Sequence, residues 1–138
     1  MRPGLVSILL LPLAACAHGS DVSAPAASEA VAEARVIDLS PAEVRAKLAD
    51  GNIRLIDVRR DDEVAQGMIP GAEHIPLAEF APEELDLSDG REVILYCRSS
   101  GRSRVAAEAL AAHTGEPAQH LDGGILAWQA AGGPITSD

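Results

Sequence analysis

A chain of 138 residues with 47% hydrophobic content and one Phe, one Tyr and one Trp has room for one domain of ordinary size. Its core must come mainly from Ala, Val, Leu and Ile, with Trp128 as the largest plug. A formal net charge of −10 argues against nucleic acid or an anionic lipid face as the main partner, since both need a cationic surface. A small anion is repelled globally by that charge and has to be drawn in locally by arginines such as Arg98, Arg102, Arg59 and Arg104.

At the N-terminus, Arg2 precedes the apolar run Leu5-Val6-Ser7-Ile8-Leu9-Leu10-Leu11. The run is too short to span a bilayer and reads as a secretory signal, residues 1–15, outside the fold. Leu13-Ala14-Ala15-Cys16 resembles a bacterial lipobox. That resemblance implies a lipid anchor on the Cys16 thiol and a place in the bacterial cell envelope facing the periplasm; Ala17, where a retention Asp is absent, implies the outer membrane. The alternative is an ordinary signal cut near Ala15 or Ala17, leaving a periplasmic protein. Residues 16–34, rich in Ala, Ser and acids, read as a tether with an r.m.s. reach of roughly 23 Å. A lipidated Cys16 leaves Cys97 without an intramolecular partner in an oxidising compartment, so Cys97 is either buried and inert or reactive for a purpose.

From Arg35 onward, residues 35–138, strands and helices alternate. Val36-Ile37-Asp38-Leu39 reads as a strand. Ser40-Pro41-Ala42-Glu43 opens a helix with Ser as N-cap, Pro in the first turn and Glu at the capping-box position; Val44, Leu48 and Ala42 face inward until Gly51 stops it. Residues 53–58 form the second strand, 61–66 a short helix, 72–76 a short strand and 77–80 a further helical turn. Residues 82–90 read as a polar, solvated connection. Residues 93–96 are the most apolar strand, as befits the centre of a parallel sheet. In the helix beginning near Arg102, Val105, Ala106, Ala109 and Leu110 share a face, with Arg104, Glu108 and Ala111 off it. Residues 119–121 are a fifth strand and 125–131 a last helix, ended by Gly132-Gly133-Pro134. The pattern predicts an α/β domain with a mainly parallel sheet and its site at the strands' carboxyl ends.

There the run Val93-Ile94-Leu95-Tyr96-Cys97-Arg98-Ser99-Ser100-Gly101-Arg102-Ser103 places a lone thiol where a buried strand gives way to a polar, arginine-bearing loop. The loop's amides converge at a helix N-terminus, where negative charge is stabilised: a thiolate is favoured and an anion can be received.

These residues resemble the rhodanese family of sulfurtransferases, through most of residues 36–135. Leu55-Ile56-Asp57-Val58-Arg59 is similar to the family's first signature and Gly67-Met68-Ile69-Pro70-Gly71-Ala72-Glu73-His74-Ile75-Pro76 to its second. Tyr96-Cys97-Arg98-Ser99-Ser100-Gly101-Arg102-Ser103 resembles the active loop, and Asp122-Gly123-Gly124-Ile125-Leu126-Ala127-Trp128 the C-terminal signature. Two departures stand out: Met68 replaces the usual His, and Gly101 lies one place later than the common loop glycine, which could change the amides that point inward.

The resemblance implies a three-layer domain with a mainly parallel five-stranded sheet flanked by helices. It further implies that Cys97 takes sulfane sulfur from a donor such as thiosulfate and passes it to cyanide, a thiol or an unknown acceptor protein. Carried over by position, Cys97 is the nucleophile; Arg98, Ser99, Ser100, Gly101 and Arg102 form the cradle, with Arg102 as charge partner; and Asp57, Arg59 and Glu63 buttress it as a salt-bridged network. No cofactor is implied.

A phosphatase of the dual-specificity type uses the same Cys and Arg but encloses five residues between them; here Cys97 and Arg102 enclose four, a smaller ring suited to sulfur. A Cys-His protease lacks an obvious partner, because His74 and His120 lie in predicted strands and His113 near a helix end. Paired Cys or tight His and carboxylate clusters are missing, so no metal is assigned, and Asp61-Asp62-Glu63 reads as a helix N-terminal charge run. A different class remains: a non-catalytic, envelope-tethered binding or regulatory module with Cys97 idle, against which the intact Cys and Arg speak.

Overall fold

The computed structural model describes residues 35–137. The predicted signal, Cys16 and the tether lie outside the described residues. Five strands are present: β1 (Val36–Leu39), β2 (Ile53–Asp57), β3 (Glu73–His74), β4 (Glu92–Tyr96) and β5 (Ala118–Leu121). They order as β1-β5-β4-β2-β3 with every pairing parallel. Four helices accompany them: α1 (Pro41–Asp50), α2 (Asp61–Val64), α3 (Gly101–Thr114) and α4 (Gly124–Ala130), with 3-10 turns at Leu77–Glu79 and Pro82–Glu84. The α/β architecture expected from the alternating pattern is the one observed.

Local chemistry explains the element boundaries. The Glu43 amide donates to Ser40 Oγ at 3.3 Å and the Ser40 amide donates to Glu43 Oε2 at 2.8 Å, so the capping box starts α1. Gly51, at φ 76°, ends it by donating to the Leu48 carbonyl at 3.1 Å.

The pleat of the central strand divides the interior into two cores. Ile94 and Tyr96 of β4 join Leu39, Val44, Leu55, Leu121, Ile125 and Trp128 beneath α1 and α4. Leu95 and Cys97 point the other way and join Ile56, Val58, Ala106, Ala107, Leu110 and Ala111 of the α3 side. Three layers follow from this alternation, since a strand covered on both faces buries successive side chains in opposite directions. Trp128 is the largest of the fully buried side chains, and its indole N–H donates to the Pro134 carbonyl at 2.8 Å.

Three packing expectations differ from what is observed. In α3 the buried face comprises Ser103, Ala106, Ala107, Leu110 and Ala111, whereas Val105 is 53% exposed and Ala109 is exposed too. The helix turns mainly small residues, and not Val105, toward the sheet. Ala42 is exposed, because only Val44 of α1 is fully buried and Leu48 packs at its margin. The connection over residues 82–90 contains a 3-10 turn, and Leu85 and Leu87 pack against the second core, so it is not wholly a solvated face.

The C-terminal segment is tied back by two backbone bonds between Met68 and Thr136, at 2.8 and 2.9 Å. Leu110→Ala is expected to lower unfolding free energy by about 2–4 kcal/mol in urea titration, while Val105→Ala stays within about 0.5 kcal/mol.

Candidate active site

Cys97 follows the last residue of β4, the strand flanked by β5 and β2, so its sulfur emerges at the carboxyl edge of an open parallel sheet. The 14-residue α3 begins four residues later and directs its N-terminus at the same place. Cys97 is a free cysteine, 1% exposed. Burial pushes its thiol up. The Ser103 hydroxyl and the amides of Ser103, Ser99 and Ser100 outweigh that by bonding to the sulfur, and the net result lies below the ordinary thiol value.

The turn that aims them is strained and externally held. Ser100 has φ 99°, the one non-glycine residue with positive φ among the described residues, and it occupies the position just before the displaced Gly101. Its hydroxyl donates to Asp122 Oδ1 at 3.0 Å and accepts from the Gly123 amide at 2.6 Å, so the side chain that makes the conformation costly also anchors it. From the other side, the Ile125 amide donates to the Cys97 carbonyl at 2.9 Å and the Leu126 amide to the Arg98 carbonyl at 3.2 Å. Gly124, at φ 57°, permits this approach: a Cβ there would collide with the Cys97 carbonyl and the Arg98 backbone.

Charge is arranged in two ion pairs. Asp57, fully buried at the end of β2, accepts from the Arg59 amide and, twice over, from its guanidinium, at 2.7–3.0 Å. Arg59 also donates to the carbonyls of Gly67 at 2.7 Å and Glu63 at 3.2 Å, fastening α2 to the sheet. Glu63 in turn accepts a bidentate pair from Arg102 at 2.6 and 2.7 Å. Arg102 thus holds the Glu63 carboxyl down to about 2. Asp57, Arg59, Glu63 and Arg102 are brought together behind the loop. Arg98 is exposed and makes no ion pair among the described residues. A cavity of about 410 Å³ opens beside it, lined in part by Arg60, Glu63, Ile125, Leu126 and Gln129.

Sequence reading passed over four contributors. Ser103, His120, Asp38 and Asp122 each reach the loop or its partners, but only strand register brings Asp38 beside His120 across β1 and β5. Ser103 and Asp122 stand within the signature-like segments, while for Asp38 and His120 the signal was a polar residue inside a short strand. Of the other histidines, His74 Nε2 bonds the Arg59 carbonyl at 2.8 Å and His113 sits in the last turn of α3.

The fold and the loop together set a buried thiol between the end of the central strand and the start of α3. Residues 40–131 match the Rhodanese-like domain family, and the chain belongs to that family. A sulfurtransferase of Allochromatium vinosum is 37% identical over 92 residues, 66% of this chain and 86% of that protein. An HTH-type transcriptional regulator of Mycobacterium tuberculosis is 34% identical over 128 residues, 91% of this chain but only 55% of the regulator's length. The crystal structure of thiosulfate sulfurtransferase from Pseudomonas aeruginosa aligns with a TM-score of 0.63 at 30% identity, over 72% of this chain and 19% of that one. The family and its sulfurtransferase relatives support a sulfur-transfer role.

Two outcomes follow from the strained turn and the Glu63 pair. Ser100→Ala keeps the positive φ and loses both hydroxyl bonds, so it is expected to cost about 2 kcal/mol and more than Ser100→Gly, which sheds the strain as well; thermal denaturation ranks the two. Glu63 has a folded value depressed from 4.5 to about 2. Its contribution is therefore fully present above the unfolded value and is lost as pH falls through the folded one. In acid titration between these values, Glu63→Gln should lose stability less steeply than the parent.

Proposed function

We propose that the protein is a sulfurtransferase working through a Cys97 persulfide, with thiosulfate or a similar small anion as donor and cyanide, a thiol or a protein thiol as acceptor. The position of the free Cys97 between the end of β4 and the N-terminus of α3, with its thiol lowered below the ordinary value, carries this reading. In the first half-reaction the Cys97 thiolate attacks the outer sulfur of thiosulfate; the donor's S–S bond breaks and sulfite leaves with its electron pair. The acceptor nucleophile then attacks the outer persulfide sulfur, and Cys97 departs as thiolate. The negative charge stays on sulfur at each stage, so one set of amide donors serves both steps. The interval of four residues between Cys97 and Arg102 keeps the cradle small, which favours sulfur over phosphate.

The Glu63 pair modifies the expected division of labour between the arginines. Arg102 has its charge engaged by a carboxylate and secures the loop, while Arg98, next to the cavity, is free to meet an incoming anion. We assign the donor contact to Arg98 and retain Arg102 as the nearby charge that favours the thiolate.

The lipobox-like segment supports an envelope setting, with Cys16 as the anchor point. Cys16→Ala should then release the protein from the membrane fraction; continued sedimentation with membranes would refute the anchor.

Thiocyanate formation from thiosulfate and cyanide tests the activity. The parent should be active and Cys97→Ser inactive; an inactive parent would favour the binding-module alternative. Arg98→Ala is expected to raise KM for thiosulfate about threefold to tenfold with its melting temperature unchanged, as for one exposed charge contact. Arg102→Ala should lower the melting temperature as well, because it leaves the Glu63 carboxylate without its partner.

A further inference from the structure

Between α1, the end of α4 and the Ile69-Pro70 segment lies a groove of about 390 Å³, lined by Arg45, Leu48, Ile69, Pro70, Trp128 and Pro134. It shares no lining residue with the cavity beside Arg98, and the sulfur-transfer steps make no use of it. Its volume falls within the range of about 300–1,000 Å³ typical of small-molecule sites. Five of the six lining residues are apolar, and the sixth is a cation. Arg45 is exposed on α1; its Nη2 donates to the Ala131 carbonyl at 3.2 Å, and its guanidinium stands 5.5 Å from the centre of the Trp128 ring. It makes no ion pair among the described residues, although acidic side chains outnumber basic ones 21 to 11 in the sequence. Such a guanidinium, set against an apolar wall, meets a carboxylate at lower effective dielectric than on an open surface and can bind both its oxygens.

The rest of the wall selects what such a carboxylate is attached to. Trp128 is 1% exposed: Arg45 lies over the ring, and Gly133 packs so close that a Cβ there would collide with the indole. The groove therefore offers no open aromatic face on which a planar ring could stack. Its accessible apolar surface is that of Leu48, Pro70 and Pro134, with the buried Ile69 as floor. Saturated carbon suits this wall, because hydrophobic burial needs contact area and no particular orientation.

We propose that this groove binds a medium-chain aliphatic carboxylate, with its chain along Leu48, Ile69, Pro70 and Pro134 and its head on Arg45. One cation matches a singly charged head group. Because the chain as a whole carries a net charge of −10, an anion gains nothing from the global field, and its binding depends on the local contact with Arg45. The site is separate from the sulfur chemistry and stands or falls independently of it.

Trp128 is the single Trp of the chain, so its fluorescence reports on this groove. The full chain is titrated with octanoate, well below its micelle range, and with the octylammonium ion of the same length. Octanoate should give a saturable change in emission, each methylene added from hexanoate to octanoate tightening binding about twofold to threefold. Octylammonium should bind about tenfold more weakly, since it sets like charges together at Arg45. This comparison is decisive, because the net charge favours the cation and only the local arginine favours the anion. Arg45→Gln should weaken octanoate about threefold to tenfold, and Arg45→Lys should restore most of that loss. An octanoate response that does not saturate, an octylammonium response of equal or greater affinity, or parental affinity in Arg45→Gln would overturn the proposal. Trp128 emission that shifts with protein concentration in the absence of octanoate would give the groove to a second copy of the chain, and would overturn it too.

Discussion

The site depends on one close backbone contact, the start of α4 lying against the turn that follows β4. Gly124 lets the Ile125 and Leu126 amides reach the carbonyls of Cys97 and Arg98, and those two bonds hold the carbonyls away from the sulfur. The Ser99 amide, which shares its peptide unit with the Arg98 carbonyl, is then free to face it. A peptide unit has its N–H and C=O on opposite sides, so binding the oxygens on one side orients the donors on the other. Ser100 supplies the remaining constraint with a positive φ pinned by Asp122 and Gly123.

Electrostatics is built on that frame in a chain whose overall charge opposes it. With a net charge of −10, a thiolate or an anionic donor gains nothing from the global field. Two nearby carboxylates are instead paired with arginines, Asp57 with Arg59 and Glu63 with Arg102, while Asp122 accepts from the Ser100 hydroxyl. Pairing costs desolvation but keeps negative charge from being presented to the sulfur unopposed. Arg98 is left as a cation toward solvent beside the cavity, and Asp38, farther back, is shared by His120 and Arg104.

Much of this was legible in the sequence because local rules coincided with the tertiary structure. Ser40, Pro41 and Glu43 mark the start of α1 by capping chemistry alone, and the apolar run ending at Cys97 marks the central strand. The grouping of Asp57, Arg59 and Glu63 came from the resemblance to the family, position by position. Long-range geometry was not legible. The pairing of Arg102 with Glu63 follows from α2 folding back over the loop, and Asp38 meets His120 only because β1 lies beside β5. The buried face of α3 was misjudged at Val105, since hydrophobicity favours burying it while the face turned to the sheet carries mainly alanine, with Ser103 and Leu110. The strain at Ser100 was foreshadowed by the displaced Gly101, but nothing in the sequence said that a serine would adopt the glycine conformation.

The central claim is that this backbone cradle stabilises sulfur-borne negative charge on Cys97, as thiolate and as persulfide. Mass spectrometry of the intact protein after brief treatment with thiosulfate and removal of excess reagent examines it most directly. The account predicts a gain of one sulfur atom, located on the Cys97 peptide and removed by cyanide. An unchanged mass, or a sulfur found on a residue other than Cys97, would contradict it.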